Sequence, residues 1–177
     1  MTGSRTASPA IAELTVDELD ELEPLWWALQ HHHSEVMPRL GHAPPRDRAE
    51  AWRRRRDKYR KWLEDPASFA LVAREGERAI GYAFVTVGPG HAAWASGDRI
   101  AELETLSVLP AERNRGVGSA LVDAVERRLR DAGVGDLAVT AAATNFDSHR
   151  FYERRGLARA FVAFYGSIDP DARDLGD

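Results

Sequence analysis

Two carboxylates, Glu102 and Glu104, stand two residues apart in the strand-like run from Ile100 to Leu109. On an extended strand that spacing puts both on one face unless a bulge intervenes. Paired carboxylates tend to raise one another's pKa, which suits a group that must accept a proton. Ordinary solvent-facing carboxylates are the alternative. Just downstream, residues 113–121 read RNRGVGSAL, a glycine-rich turn between that run and a helical pattern. The first N–H groups of a helix lack intrahelical partners, and the helix dipole adds a partial positive charge there. Gly116 and Gly118 would let backbone N–H groups approach an anion without a Cβ in the way. Arg113 and Arg115 add charge and Ser119 a hydroxyl. The set suits a pyrophosphate, or else a merely tight strand–helix junction. It is not a P-loop, because Ser119 follows Gly118 with no lysine between. It also lacks the G-x-G-x-x-G spacing of a dinucleotide turn.

Other candidates are weaker. His31, His32 and His33 are consecutive, so on a helix they point in different directions and form no chelating face. One of them could line a substrate pocket. With no cysteine, disulfides, thiolate metal sites and a thiol nucleophile are excluded, and no metal is expected. Of the 24 basic residues only Lys58 and Lys61 are lysines. The stretch RRRRDKYRK (53–61) reads either as a phosphate patch or as a solvated helix face opposite DELDELE (17–23). Helical spacing of Trp52, Tyr59 and Leu63 favours the second. A net charge of -4 and the absence of a reading motif argue against nucleic acid as a partner. No apolar run approaches the roughly 20 residues of a membrane span, and MTGSRTASP is no secretory signal. A cytoplasmic protein that binds no membrane is the expectation.

The elements that must position these residues can be read from periodicity. Residues 1–9 are expected to be a disordered leader, 10–168 a single domain, and 169–177 a polar tail. Ile11–Leu14 suggests a short strand. Thr15 with Glu18 is a capping-box signature opening a helix over about 16–36, which Pro24 breaks or kinks. GHAPP (41–45) reads as a turn, and a second helix runs from about 47 to 65. Strands are expected over Phe69–Arg74, Ala79–Val87 and Ile100–Leu109. Leu121, Val122, Val125 and Leu129 mark the buried face of a helix that stops at Gly133. A strand over Leu137–Ala142, a short helix over Ser148–Arg155 and a strand over Ala160–Ile168 complete an α/β layered domain.

In this setting, residues 103–133 resemble the acetyl-CoA-binding motif of the GNAT superfamily of N-acetyltransferases: a strand ending in an apolar residue and proline, Arg/Gln-x-x-Gly-x-Gly/Ala, and an amphipathic helix. TNFDSHRFYERRGL (144–157) resembles that family's second element. The resemblance implies a mixed, mostly antiparallel central sheet flanked by helices and splayed between its fourth and fifth strands. It implies acetyl-CoA as co-substrate, with its pyrophosphate on Arg113, Arg115, Gly116, Val117, Gly118 and Ser119. The pantetheine arm would lie along Leu106, Ser107 and Val108, one of whose N–H groups would polarise the thioester carbonyl. Asn145 would contact that arm, or else serve as a helix cap. Tyr152 would donate to the leaving thiolate, or else pack as an aromatic beside Phe151. Glu102 takes the place of a general base, with Glu104 holding a second water or an acceptor cation. The implied activity is acetyl transfer to a small-molecule or peptide amine by direct attack, and family members are often homodimers. A non-catalytic acyl-CoA-binding module is the alternative. The acceptor pocket would be built from segments around Trp26–Met37 and Gly88–Asp98, with Trp26, Trp27 and Trp94 available as an apolar wall.

Overall fold

Five strands pair side by side in chain order: β1 (Ala10–Glu13), β2 (Phe69–Glu75), β3 (Arg78–Pro89), β4 (Arg99–Val108) and β5 (Asp136–Val139). The computed structural model describes residues 9–37 and 46–164. β1 to β4 run antiparallel to their neighbours, while β4 and β5 are parallel. A parallel pair needs a crossover, and helix α3 (Val117–Asp131) supplies it. The β2–β3 hairpin closes on Gly76, whose φ of +61° a β-branched residue could not adopt without strain.

The sheet separates two apolar cores. On one face, Ala83, Val85 and Val87 of β3 and Ala101 and Leu103 of β4 meet Val117, Leu121, Val122, Val125 and Leu129 of α3. On the other, Tyr82 and Phe84 meet Leu25 and Trp26 of α1 (Glu23–Val36) and Trp52 and Tyr59 of α2 (Arg48–Trp62). Before α1 lies a 3-10 stretch, Val16–Leu22, in which the Glu18 carboxylate accepts from the Thr15 N–H and hydroxyl at 2.8 Å each. Pro24 occupies the first turn of α1, where a missing N–H costs nothing, and so divides the expected helix in two. Asp47 caps α2 by accepting from the Glu50 N–H at 3.0 Å.

Two expectations are corrected. β5 is paired only to Val139, not Ala142, because its partner contacts on β4 stop at Leu103. Beyond that point the two strands splay. Residues 160–164 form no strand, and Phe161, Val162 and Phe164 are exposed. Apolar alternation confers strand propensity, but no neighbouring strand in the described sheet takes these residues as a partner. The rest of that expected strand, the turn at 41–45, the tail and all of the leader but Pro9 lie outside the described residues. The final helix, α4 (Phe146–Arg154), begins two residues earlier than its periodicity suggests.

Candidate active site

The glycine turn sits where β4 hands over to α3. A single 3-10 turn, Pro110–Glu112, leads into Asn114 (φ +61°) and Gly116 (φ +84°), and the α-helix starts at Val117. No side chain caps this helix and no acidic residue lies in its first turn, so its leading N–H groups are open to an external anion. A Cβ at Gly116 would meet nothing within 4 Å; there the left-handed φ requires glycine. At Gly118 a Cβ would only touch Val108 Cγ2 at 3.8 Å and Phe151 Cζ at 3.9 Å, ordinary contact distances. Tight packing therefore explains the first glycine only through its dihedral and does not explain the second. Arg113 donates from Nε to the Val108 carbonyl at 3.2 Å. Arg115 pairs with Glu112 and lies 3.6 Å from Glu75. Glu112 also binds Arg78, and these guanidinium groups hold its carboxyl below the usual range. Its side chain is only 5% exposed, so it anchors Arg115 beneath the turn. Sequence reasoning missed Glu112: an acid three residues before an arginine does not reveal which of them is buried.

The splay beside this turn leaves part of β4 without an outer neighbour. The Leu109 N–H donates to the Ile80 carbonyl at 3.0 Å, and Ser107 is in register with Tyr82. Alternation along the strand then turns the main-chain groups of Leu106 and Val108 away from β3, toward the gap. The Ser107 hydroxyl is occupied as well, donating to the Leu25 carbonyl at 2.7 Å. Of the three positions expected along the pantetheine arm, Leu106 presents free strand edge, Val108 offers its N–H while Arg113 holds its carbonyl, and Ser107 faces β3.

A bulge decides the placement of the carboxylates. Phe84 is opposite Thr105 while Val85 is opposite Leu103, so Glu104 is the extra residue. Ala101 and Leu103 face α3, and Glu102 lies on the opposite face, in register with Thr86. Thr86 donates its hydroxyl to Glu104 at 3.0 Å, which puts both carboxylates on the α1/α2 face. The parity change comes after Glu104: Thr105 and Ser107 turn toward α1 and α2, while Leu106 and Val108 pack toward α3. Burial raises the pKa of Glu104. The Thr86 hydrogen bond opposes that rise, the Glu102 charge adds to it, and Lys58 and Arg55 of α2 counter it. The two carboxylates differ in environment: Glu102 is exposed, and Glu104 is half-buried with a raised pKa.

Tyr152 and Asn145 sit on α4 across the gap. Tyr152 packs against the α3-side core and edge-on to Phe151, with ring centroids 5.2 Å apart. Burial pushes its phenol up to about 12. Asn145 is buried and caps α4, accepting from the Ser148 N–H at 3.2 Å, so the cap role is the one its side chain fills here. The Thr144 hydroxyl bonds the Val36 carbonyl and ties the start of α4 to the end of α1.

The α1/α2 wall completes the site. His31 and His32 lie 3.7 and 3.6 Å from Glu35. His33 is half-buried, and burial, with the charges of His32 and Arg55, lowers its pKa. Trp26 is buried and Trp27 partly so, both in the α1/α2 core. Trp94 instead joins His91 and Phe161 in an exposed aromatic cluster.

The sequence profile of the acetyltransferase (GNAT) family matches residues 26–157. A mycothiol acetyltransferase of Cellulomonas flavigena is 33% identical over 105 residues, which are 58% of this chain and 30% of that protein. This chain thus spans less than a third of the length of the curated relatives it matches. Among solved structures, a GCN5-related N-acetyltransferase from Ralstonia eutropha superposes with a TM-score of 0.66 at 19% identity, covering 90% of this chain and 99% of that one. An aminoglycoside N-acetyltransferase in complex with CoA gives 0.67 at 21% identity, covering 95% and 100%. A family match across most of the chain and a sheet splayed after Leu103 converge, and the chain belongs to the acetyltransferase (GNAT) family.

Proposed function

We propose that this protein transfers the acetyl group of acetyl-CoA to a primary amine by direct attack, with Glu104 as the proton acceptor. The observation that carries this reading is a carboxylate of raised pKa at a bulge, immediately before the stretch of β4 that β5 leaves unpaired. The uncapped start of α3 fits a pyrophosphate, and the free edge at Leu106 with the N–H of Val108 fits the arm's amides and the thioester carbonyl. Acetyl-CoA supplies the activated acetyl group. The amine nitrogen bonds to the carbonyl carbon, the carbon–sulfur bond breaks, and the sulfur leaves with its electron pair. An ammonium acceptor gives up two protons in all: one reaches Glu104, directly or through water, and one ends on the sulfur. Glu104 then returns its proton to solvent.

With a pKa of about 12, Tyr152 is a donor in this process and not a base. Full proton transfer to a thiolate, whose acid titrates near 8.5, would be uphill by roughly 3.5 units. Its role is therefore a hydrogen bond to the departing sulfur. Tyr152→Phe is expected to lower kcat by about tenfold to a hundredfold, as for a hydrogen bond to a charged atom. Acetyl-CoA affinity, measured by calorimetry, should hardly move. An unchanged kcat would remove Tyr152 from the reaction.

Gly118→Ala tests the pyrophosphate cradle separately. Its Cβ fits the protein and suits a helix, so thermal stability should hold or rise by a few tenths of a kcal/mol. Acetyl-CoA affinity should hold within a few-fold, since the family motif takes glycine or alanine at this position and the methyl meets Val108 and Phe151 of the protein. A sharp loss of affinity would show that the pyrophosphate packs directly against this Cα.

The activity itself is tested by thiol release from acetyl-CoA across aminoglycosides, polyamines, amino acids, arylamines and short peptides. The names of the relatives, mycothiol and aminoglycoside acetyltransferases, support small-molecule acceptors. A Tyr152-dependent signal with one class supports the reading. Silence across the panel with measurable acetyl-CoA binding would count against it and favour a binding module.

A further inference from the structure

The basic face of α2 divides into two sets when its partners are traced. Arg53 and Arg54 bind Glu50, Arg56 lies 3.2 Å from Asp20, and Arg60 lies 3.5 Å from Asp57. These arginines are neutralised on the outer surface. Arg55 and Lys58, three residues apart and so on one side of the helix, have no carboxylate within ion-pair distance among the described residues. They lie on aromatic rings instead. The Arg55 guanidinium stands 5.8 Å from the Trp26 ring and 5.4 Å from the Tyr59 ring, and Lys58 Nζ is 4.4 Å from that of Trp62. Lys61 is exposed and has neither kind of partner.

Arg55 is only half-exposed, and the Tyr59 ring it covers bonds through its hydroxyl to Thr105, the residue directly after the bulge. Its charge counters the rise in the pKa of Glu104 and adds to the fall in that of His33. A partly buried guanidinium that two rings hold in place, with its donors free of carboxylates, is preorganised for a planar oxyanion. The carboxylates of the same wall attract an ammonium. The wall is thus dipolar, whereas a site for polycations would carry acidic charge alone.

We infer that Arg55, with Lys58 beside it, binds an anionic group of the acceptor, so that the substrate is an amine that also bears a carboxylate or a phosphate. This rests on the acetyl-transfer reading, which it narrows: polyamines and aminoglycosides would be poor acceptors. Arg55 then selects the acceptor, while Glu104 handles its proton.

The test compares matched acceptors that differ only at the anion: an amino acid and its carboxamide, and an aminoalkyl phosphate with the corresponding amino alcohol. Assays are run above the pH at which Glu104 protonates, because loss of the Arg55 charge raises that pH. In the wild type the anionic member should be favoured in kcat/KM by about tenfold to a hundredfold, the range of a charge-assisted hydrogen bond. Arg55→Gln should bring the ratio close to one, and Arg55→Lys should restore part of it. The carboxylate and phosphate pairs show which oxyanion is read. A wild-type ratio near one, or a preference for polyamines, would overturn the inference while leaving acetyl transfer intact. Binding of N-acetyl amino acids or of the aminoalkyl phosphates, followed through tryptophan fluorescence in the presence of CoA, needs no turnover. Binding that Arg55→Gln abolishes, with no amine acetylated, would keep the anion site and overturn the transfer reading. No binding and no turnover would overturn both.

Discussion

Glu104→Gln is expected to lower kcat/KM by about 10²- to 10⁴-fold, the range for removing a positioned general base, with acetyl-CoA affinity preserved. The amide is isosteric and keeps the hydrogen bond from Thr86, so the bulge should survive the change. The pH dependence gives a second and sharper test. Only the ionised carboxylate accepts a proton, so activity is full above the pKa of Glu104 and falls as the pH drops through it. That pKa is raised, by burial first and by Glu102 as well, so the acidic limb should lie above the ordinary carboxylate range. Glu102→Gln removes a like charge and should move the limb to lower pH. Lys58→Met removes an opposing charge and should move it to higher pH. Opposite shifts from these two variants, read from kcat/KM profiles, would identify Glu104 as the titrating group. A limb indifferent to both would assign it to some other residue, and an active Glu104→Gln would end the role altogether.

The legibility of this site from sequence varied with the kind of interaction involved. The glycine turn was readable because its signal is local: helix N-terminus, glycine spacing and adjacent cations occupy one short stretch. β2, β3, α2 and α3 were readable within a residue or three for the same reason, since their periodicities are carried by consecutive residues. The relative burial of the two glutamates was not. Sequence spacing put them on one face, as observed, and the family resemblance put Glu102 in the general base's place; the bulge and the packing of α2 leave Glu104 the more buried of the two. A bulge is set by the register between two strands, and nothing in LETLS alone specifies it. Arg55 is a similar case. Within RRRRDKYRK its neighbours look identical to it, and only the positions of Glu50, Asp57 and Asp20 show which arginines are already paired. Residues 160–164 failed in the other direction, because a strand-like pattern says nothing about whether a partner strand is present.

Tyr59 links this packing to the chemistry, and Tyr59→Ala should be among the most destabilising single changes available. The ring is fully buried and stacks on Phe84 at 4.2 Å with planes 9° apart. It also meets Trp52 and Trp62, with ring centroids 6.4 and 5.9 Å away. Removing such a ring costs about 3–5 kcal/mol, which for a chain of this length lowers Tm by on the order of 10 °C. Tyr59→Phe separates the ring from its hydroxyl. That hydroxyl bridges Tyr82 at 2.8 Å and Thr105 at 2.9 Å, inside the core. Deleting it strands two buried hydroxyls and should cost about 1–3 kcal/mol. Burial raises the pKa of both phenols, so the network stays protonated and this cost should be flat from mildly acidic to neutral pH. Thr105 is the residue directly after the bulge, and the bridge from Tyr59 fixes it against α2. If that contact holds Glu104 in place, Tyr59→Phe should reduce kcat by several-fold at temperatures where the protein remains folded, with acetyl-CoA affinity unchanged and the acidic limb displaced. If only stability falls, the hydroxyl chain serves the core alone, and the bulge keeps its shape through the β3 register.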